Sequence, residues 1–299
     1  MNELKSIGIC CGSLVQADFR SLVEAASGAG FGSISLWPTL FFGALDAGLS
    51  AQDMRSMLND TGLQVTELDP FSSWLPVDMK SDDLGAVFHA FTEDDFFRMA
   101  DSLGARSLNI IQQSPAIVSD ARRAELINAL SERAARHGLL VTIEFLPWSP
   151  IGSLGQAQAL VAAVDHPNFG INIDTWHHFR SGGTLQDIAA ADPETICAVQ
   201  FNDVLEQPWD NLLEETALAR LPPGEGHSDS IAVYRTLLES GVDAPVSVEV
   251  FSAELMALPA QDAAARLAES MKRVLAGVNA CRTATGQVEQ PVIVHRAKI

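Results

Sequence analysis

Eight times along this chain a short run rich in β-branched and apolar residues gives way to a longer stretch with helical periodicity. The runs fall at about 5–11, 32–37, 64–69, 107–112, 139–146, 170–174, 197–202 and 245–251. Between them lie stretches such as SDARRAELINALSERAARHG at 119–138. There Leu126, Ala129, Leu130 and Ala134 recur at helical spacing, with Ser119 or Asp120 as the cap and Gly138 as the stop. SAQDMRSMLNDTG at 50–62 and SDSIAVYRTLLESG at 228–241 repeat the pattern, and a last helix is expected over about 261–280. The strands read as continuous apolar runs, which suits a parallel sheet covered on both faces. Eight strand-then-helix units predict an α/β fold, a single-domain (β/α)8 TIM barrel. No linker or charge block divides the chain, so we expect one barrel over 1–284 and a C-terminal tail over 285–299. The tail can pack on the barrel or on a second subunit, which leaves a homo-oligomer open.

The charge balance narrows the partners. The chain carries 38 acidic against 19 basic residues, a formal net charge of -19. A surface that acidic repels a phosphate backbone, so no nucleic-acid partner is expected. No apolar run reaches the roughly 18 residues of a membrane helix, and MNELKSIGICCGS at the start has no long apolar leader core. The expectation is a cytoplasmic protein that acts on a small molecule and engages no membrane. Cys10, Cys11, Cys197 and Cys281 make no Cys-x-x-Cys pair, so they read as reduced residues, with no thiolate zinc site.

Four polar residues then stand out at the C-terminal ends of four successive strands. They are Glu144 in LLVTIEFLP, Asp174 in GINIDTWHHF, Gln200 in CAVQFNDV and Glu249 in PVSVEVFS. In a parallel barrel those ends meet on one face, where active sites are built. Burying three carboxylates together is too costly unless a positive charge holds them. A divalent cation is the simplest answer. All four residues offer oxygen, which favours Mn²⁺, with Mg²⁺ or Co²⁺ as further candidates; zinc more often takes His or Cys.

Several of these segments resemble the xylose isomerase-like family of barrels, which includes sugar isomerases, ketose epimerases, inosose dehydratases and 3-dehydroshikimate dehydratases. The residues that carry the likeness are Glu144 in VTIEFLPW, Asp174 and His177 in NIDTWHHF, Gln200 and Asp203 in VQFND, RLPPGEG at 220–226, and Glu249 in VSVEVF. Many epimerases of the family have His where this chain has Gln200. Gln200, the Arg-x-Pro-x-Gly-x-Gly loop and the Glu144–Trp148 spacing are nearest to the 3-dehydroshikimate and inosose dehydratase branch. Two positions depart. The epimerases carry Arg where this chain has Glu206, and the dehydratases carry a Gln-Pro-Phe-Arg run where it has Asp69-Pro70-Phe71-Ser72. The missing Arg would be a natural carboxylate anchor.

The resemblance implies the site roles. Glu144, Asp174, Gln200 and Glu249 would bind the metal, and His177, Glu144 and Glu249 would move protons. Arg180, Arg220 and Glu225 are candidates for polar substrate contacts. Trp37, Trp74, Trp148, Trp176 and Trp209 all lie at or just after strands on the loop side, joined by Phe71, Phe145 and Phe251. Of these, Trp37, Phe71 and Trp148 are the expected substrate contacts, and the number of rings points to a substrate larger or more apolar than a free sugar. The implied reaction removes a proton α to a carbonyl and passes through a metal-bound enediolate. Returning the proton gives an isomerase or epimerase, and losing a β-hydroxyl gives a lyase of the 3-dehydroshikimate dehydratase kind. A phosphodiesterase of the apurinic endonuclease type shares the fold, but it needs further His ligands and a basic groove, and the net charge argues against it. A barrel that only binds or assembles would leave the ligand set unexplained.

Overall fold

All eight predicted strands form, and they close on each other in sequence order, each parallel to the next and the last parallel to the first. The computed structural model describes residues 3–76 and 86–284. The strands are β1 (Ile7–Cys10), β2 (Ser33–Leu36), β3 (Gln64–Phe71), β4 (Ser107–Ile111), β5 (Leu140–Glu144), β6 (Phe169–Asp174), β7 (Ile196–Phe201) and β8 (Val246–Val248). The 285–299 tail and the middle of the loop after β3 lie outside the described residues. Among the described residues, no helix is long and apolar enough to cross a membrane.

The strands are not continuously apolar, as the sequence suggested; they alternate. Ile9, Ile34, Leu108, Ile143, Ile171 and Val199 belong to the apolar core that the strands share with the surrounding helices. Their neighbours Gly8, Ser35, Asn109, Thr142, Asn172 and Gln200 turn the other way, into the barrel. The inward residues bond across it: Asn172 Nδ2 donates to Glu67 Oε2 at 3.2 Å, and Gln200 Nε2 donates to Glu67 Oε1 at 2.9 Å. The hydrophobic core is thus a shell between sheet and helices, where each buried Leu or Ile contributes about 1.5–3 kcal/mol.

The helices follow their local signals. Ser50 caps Ala51–Thr61 through a reciprocal box with Asp53, and Gly62 ends it in a left-handed turn. Ser119 caps Asp120–Ala135 by accepting from the Arg122 N–H. The buried face of that helix is Arg123, Ile127, Leu130, Ser131 and Ala134, while Leu126 and Ala129 are half-buried. The stripe is rotated by one position from the expected one because Arg123 folds inward onto Gln112 and Asp120. The last helix, Ala260–Ala284, packs on the first long one, Phe19–Ala29.

The connection after β7 is the longest fully described one. Asp203 organises it: Oδ1 accepts from the Ser228 N–H at 2.9 Å and Ser228 Oγ at 2.7 Å, and Oδ2 accepts from the Gly224 N–H at 3.0 Å and Ser230 Oγ at 2.8 Å. Gly224 has a left-handed φ of +80°. Gly226 is needed for a different reason, because a Cβ there would lie 2.3 Å from the Val204 carbonyl.

Candidate functional site

Glu144 ends β5, Asp174 ends β6, Gln200 lies one residue before the end of β7, and Glu249 directly follows β8. None of the four is more than 6% exposed. Three buried carboxylates therefore converge, and the nearest positive charge is Arg220, itself buried. Its Nη1 donates to Asp174 Oδ2 at 2.6 Å and to Glu249 Oε2 at 2.8 Å. The other edge of the guanidinium donates to Thr216, and its plane lies 4.4 Å from the Phe251 ring centroid. Asp174 is also the N-cap of Thr175–Arg180, accepting from the His177 N–H at 3.0 Å. That short helix turns the His177 ring back over the site, where Nε2 lies 3.2 Å from Glu144 Oε1. Donor atoms of Glu144, Asp174 and His177 all lie within 4.8 Å of one another, close enough to share a metal ion.

The oxygens left over test whether a cation fits. Gln200 Oε1 and Glu249 Oε1 are buried and accept no hydrogen bond among the described residues. Buried acceptors left unmade cost about 1–3 kcal/mol each. Both belong to the expected ligand set, and the donors around them are oxygen-rich, the chemistry that a divalent ion takes; they fall in two clusters, Glu144 with Asp174 and His177, and Glu249 with Asp69 and Cys10. The residues fit such an ion.

The titration behaviour follows from burial and from Arg220. Burial, then the charges of Glu249's acidic neighbours, outweigh Arg220 and hold Glu249 well above the usual carboxylate range. Burial also pushes on Asp174, but the Arg220 charge and then His177 overcome it and hold Asp174 below its usual value. Burial and then the Glu144 charge push Asp69 up to about 8. Burial and then Asp69 hold Glu67 well above its usual range.

Above these groups opens a cavity of about 230 Å³. Of the expected site residues, Glu144, His177, Glu249, Trp37, Trp148 and Arg220 line it. Asp174, Gln200, Phe71, Arg180 and Glu225 do not; Asp174 lies beneath Arg220, and Gln200 is turned onto Glu67. The β3–β4 register shifts between Leu68 and Phe71, which turns Phe71 outward onto Phe96 with ring centroids 5.0 Å apart. Arg180 is spent on buried Glu215, with Nε 2.7 Å from Oε1, and on the Leu205 carbonyl at 2.9 Å. Glu225 faces the last helix and pairs with Arg266 at 3.2 Å and Arg273 at 2.6 Å. The aromatic cluster is smaller than expected. Trp74 is buried and donates to the Ile111 carbonyl, Trp176 and Phe145 are fully buried, and Trp209 is exposed. Trp37, Trp148, Phe88 and Phe251 make the aromatic part of the wall. Gly12 lets the wall close, since a Cβ there would lie 2.3 Å from Trp37 and 2.5 Å from Phe251.

Four polar residues of the site were missed. Asn109 Nδ2 donates to both Asp69 Oδ1 at 2.8 Å and Glu144 Oε2 at 2.7 Å, tying β3 to β5. Glu67 underlies Gln200, and Gln113 lines the cavity beyond β4. The available signal was the alternation in TELDP and SLNII, where single polar residues interrupt apolar ones at period two.

Residues 23–274 match the model of the xylose isomerase-like TIM barrel family. The chain belongs to that family. Among curated members it is 29% identical over 171 residues to an inosose isomerase of Halalkalibacterium halodurans, covering 53% of this chain and 60% of that one. It is 28% identical over 240 residues to a 3-dehydroshikimate dehydratase of Pseudomonas aeruginosa, covering 79% of this chain and 37% of that one. The chain thus spans less than two thirds of the length of either relative. A solved structure of the IOLI protein with a binding zinc atom superposes with a TM-score of 0.78 at 19% identity, over 90% of this chain and 98% of that one. That likeness extends the agreement in fold to almost the whole barrel. The named relatives are isomerases and dehydratases, so this is an enzyme family.

Proposed function

We propose that this chain is a divalent-metal-dependent isomerase or epimerase of a sugar- or polyol-like hydroxy-ketone, which abstracts a proton α to the carbonyl. The observation that carries the reading is the orphaned pair of acceptors, Gln200 Oε1 and Glu249 Oε1, in a buried group that already holds Glu144 and Asp174. These four residues would hold the ion, with Mn²⁺ the first candidate and Mg²⁺ or Co²⁺ next. When bound, it supplies Lewis-acid polarisation of a carbonyl and its neighbouring hydroxyl.

The protein supplies the proton transfers. Glu144, on β5, and Glu249, after β8, approach the cavity from separate sides, so one can take a proton that the other returns on the opposite face. His177 Nε2, beside Glu144, can relay that proton, because imidazole both donates and accepts. Trp148 stands against His177 with ring centroids 5.4 Å apart and holds the imidazole edge-on. Elimination of a β-hydroxyl, the lyase reading, uses the same first proton transfer, and the 3-dehydroshikimate dehydratase relative favours keeping it as the second reading. The substrate is taken to be a small molecule met in the cytoplasm, and residues 1–284 to be the catalytic unit.

Metal content by plasma mass spectrometry tests the reading on wild type and Glu249→Gln, both purified without chelators. About one ion per chain in the wild type, lost in the variant, is expected. The loaded wild type is further expected to exchange α-protons of a keto-polyol with deuterated water. A wild type that takes up no ion after incubation with Mn²⁺ would overturn it.

A further inference from the structure

A second group of buried donors lies beside the expected ligands, and the proposed chemistry leaves most of it unused. Cys10 ends β1, Asp69 lies within β3 and Glu249 follows β8. None is more than 5% exposed. One donor atom from each, a thiol sulfur and two carboxylate oxygens, lies within 4.8 Å of the other two. Cysteine spacing gave no such site, because the three residues are far apart in sequence. The closed barrel joins them by pairing β8 with β1 and setting β3 just beyond β2. Each donor has its own support. Cys10 Sγ accepts from the Gly12 N–H at 3.4 Å, which fixes the thiol at the start of the Cys11–Leu14 turn. Asp69 Oδ1 accepts from Asn109 at 2.8 Å. Glu249 Oε2 accepts from Arg220 at 2.8 Å, while its buried Oε1 accepts from nothing among the described residues. The neighbouring Cys11 is not one of the group; its Sγ accepts from the Trp37 N–H at 3.1 Å.

A thiol that only fills space packs as a small apolar residue and gains nothing from two carboxylates at its side. Buried carboxylates there are costly, and so is the unmade Glu249 acceptor, unless a cation takes them. Arg220 is the only Lys or Arg among the described lining residues of the cavity, and its Nη1 is given to Asp174 and to Glu249 Oε2. Asp69 and the second Glu249 oxygen have no bonded cation of their own. The donor type then decides the metal. Thiolate with carboxylate suits Zn²⁺, or Co²⁺ as its surrogate, whereas Mn²⁺ and Mg²⁺ prefer oxygen alone. The Cys10 thiol gives up its proton to solvent when such an ion binds. Three protein donors leave the fourth position of a tetrahedral ion open, and Asp69 and Glu249 both line the cavity.

We propose that Cys10, Asp69 and Glu249 form a second cation site, thiolate-bearing and selective for Zn²⁺ or Co²⁺, which shares Glu249 with the oxygen-only site. It goes beyond the single ion of the functional reading. Titration of chelator-treated wild type with Co²⁺, followed by absorbance, tests it without activity, because thiolate bound to Co²⁺ gives a sulfur-to-metal charge-transfer band in the near ultraviolet and oxygen ligands do not. At saturation about two Co²⁺ or Zn²⁺ per chain are expected, against about one Mn²⁺. Cys10→Ser should lose the band and stop at about one Co²⁺, and Cys11→Ser should keep the band. Asp69→Asn, which retains the thiol, should need more Co²⁺ to reach the band, by at least the ~10- to 100-fold that loss of an outer-shell partner costs. A wild type that binds Co²⁺ without the band would overturn the thiolate site, whatever the variants do, and leave the functional reading standing. The band in a wild type that exchanges no α-protons on any keto-polyol would support the site and sink the functional reading. A wild type that binds no ion would overturn both.

Discussion

Arg220 is the residue on which the site's electrostatics turn. It neutralises Asp174 and Glu249, the same two carboxylates that the cation reading assigns to the ion. A cation held beside those carboxylates would be repelled by the guanidinium, so the two would compete electrostatically. Replacing Arg220 by Met should act in opposite directions on the two states. The metal-free chain should lose about 3–5 kcal/mol, because the buried Asp174 carboxylate is left without its partner. Affinity for Mn²⁺ should rise, since the competing cation is gone. Urea unfolding of chelator-treated protein and calorimetric titration with Mn²⁺ check the two halves separately. Weaker metal binding in the variant would mean that Arg220 supports the ion and does not oppose it.

At the scale of elements, the least obvious support is the pairing of two short helices. Thr175–Arg180 and Leu212–Leu218 are joined by Arg180 and Glu215, and Glu215 also accepts from the Trp209 N–H at 2.7 Å. The second helix carries Thr216, which holds Arg220. Arg180→Leu should therefore cost about 3–5 kcal/mol and raise KM, although Arg180 never reaches the cavity. The double variant Arg180→Leu/Glu215→Leu should recover part of the stability, because no buried charge is then left alone. Chemical denaturation of the three proteins measures this coupling. The sequence analysis took Arg180 as a candidate polar substrate contact, and nothing local reveals a partner 35 positions on. The strands themselves were legible, since β-branched runs bounded by turn residues recur eight times. Glu144, Asp174, Gln200 and Glu249 were legible because they sit at equivalent ends of those runs. Phe71 was not, because the register shift after Leu68 reverses the face that simple alternation assigns it. Asn109 and Glu67 were hidden by reading the strands as continuous apolar runs.

For the whole molecule, a polar interior ties folding to pH and to metal. Asp69 sits at about 8, and Glu67 and Glu249 are well above their usual range. In an unfolded chain these carboxyls titrate near 4. Between about pH 4 and pH 8 the metal-free native state therefore holds protons that the unfolded state has released, and its stability falls as pH rises. Asp174 does not offset this, because its lowered value makes its contribution vanish only at more acid pH. A bound dication favours the ionised ligands and works against the trend. The midpoint of thermal unfolding should thus fall from about pH 5 to pH 8 in chelator-treated protein, and the gap to metal-loaded protein should widen over the same range. Asp69→Asn should flatten the metal-free slope. A slope of opposite sign would mean that the buried acids are ionised in the empty barrel.

The arch over the mouth is tied down at many points. The Arg220 N–H donates to the Phe251 carbonyl at 3.0 Å, Leu221 and Asp203 exchange backbone bonds at 3.0 and 2.8 Å, and Asp203 gathers the loop as far as Ser230. The backbone under Arg220 therefore has no hinge. An ion held by Glu144, Asp174, Gln200 and Glu249 would therefore meet a fixed backbone on this side, with side chains left to adjust around it. The mouth is thus a braced frame whose charge is set by the Arg220 guanidinium.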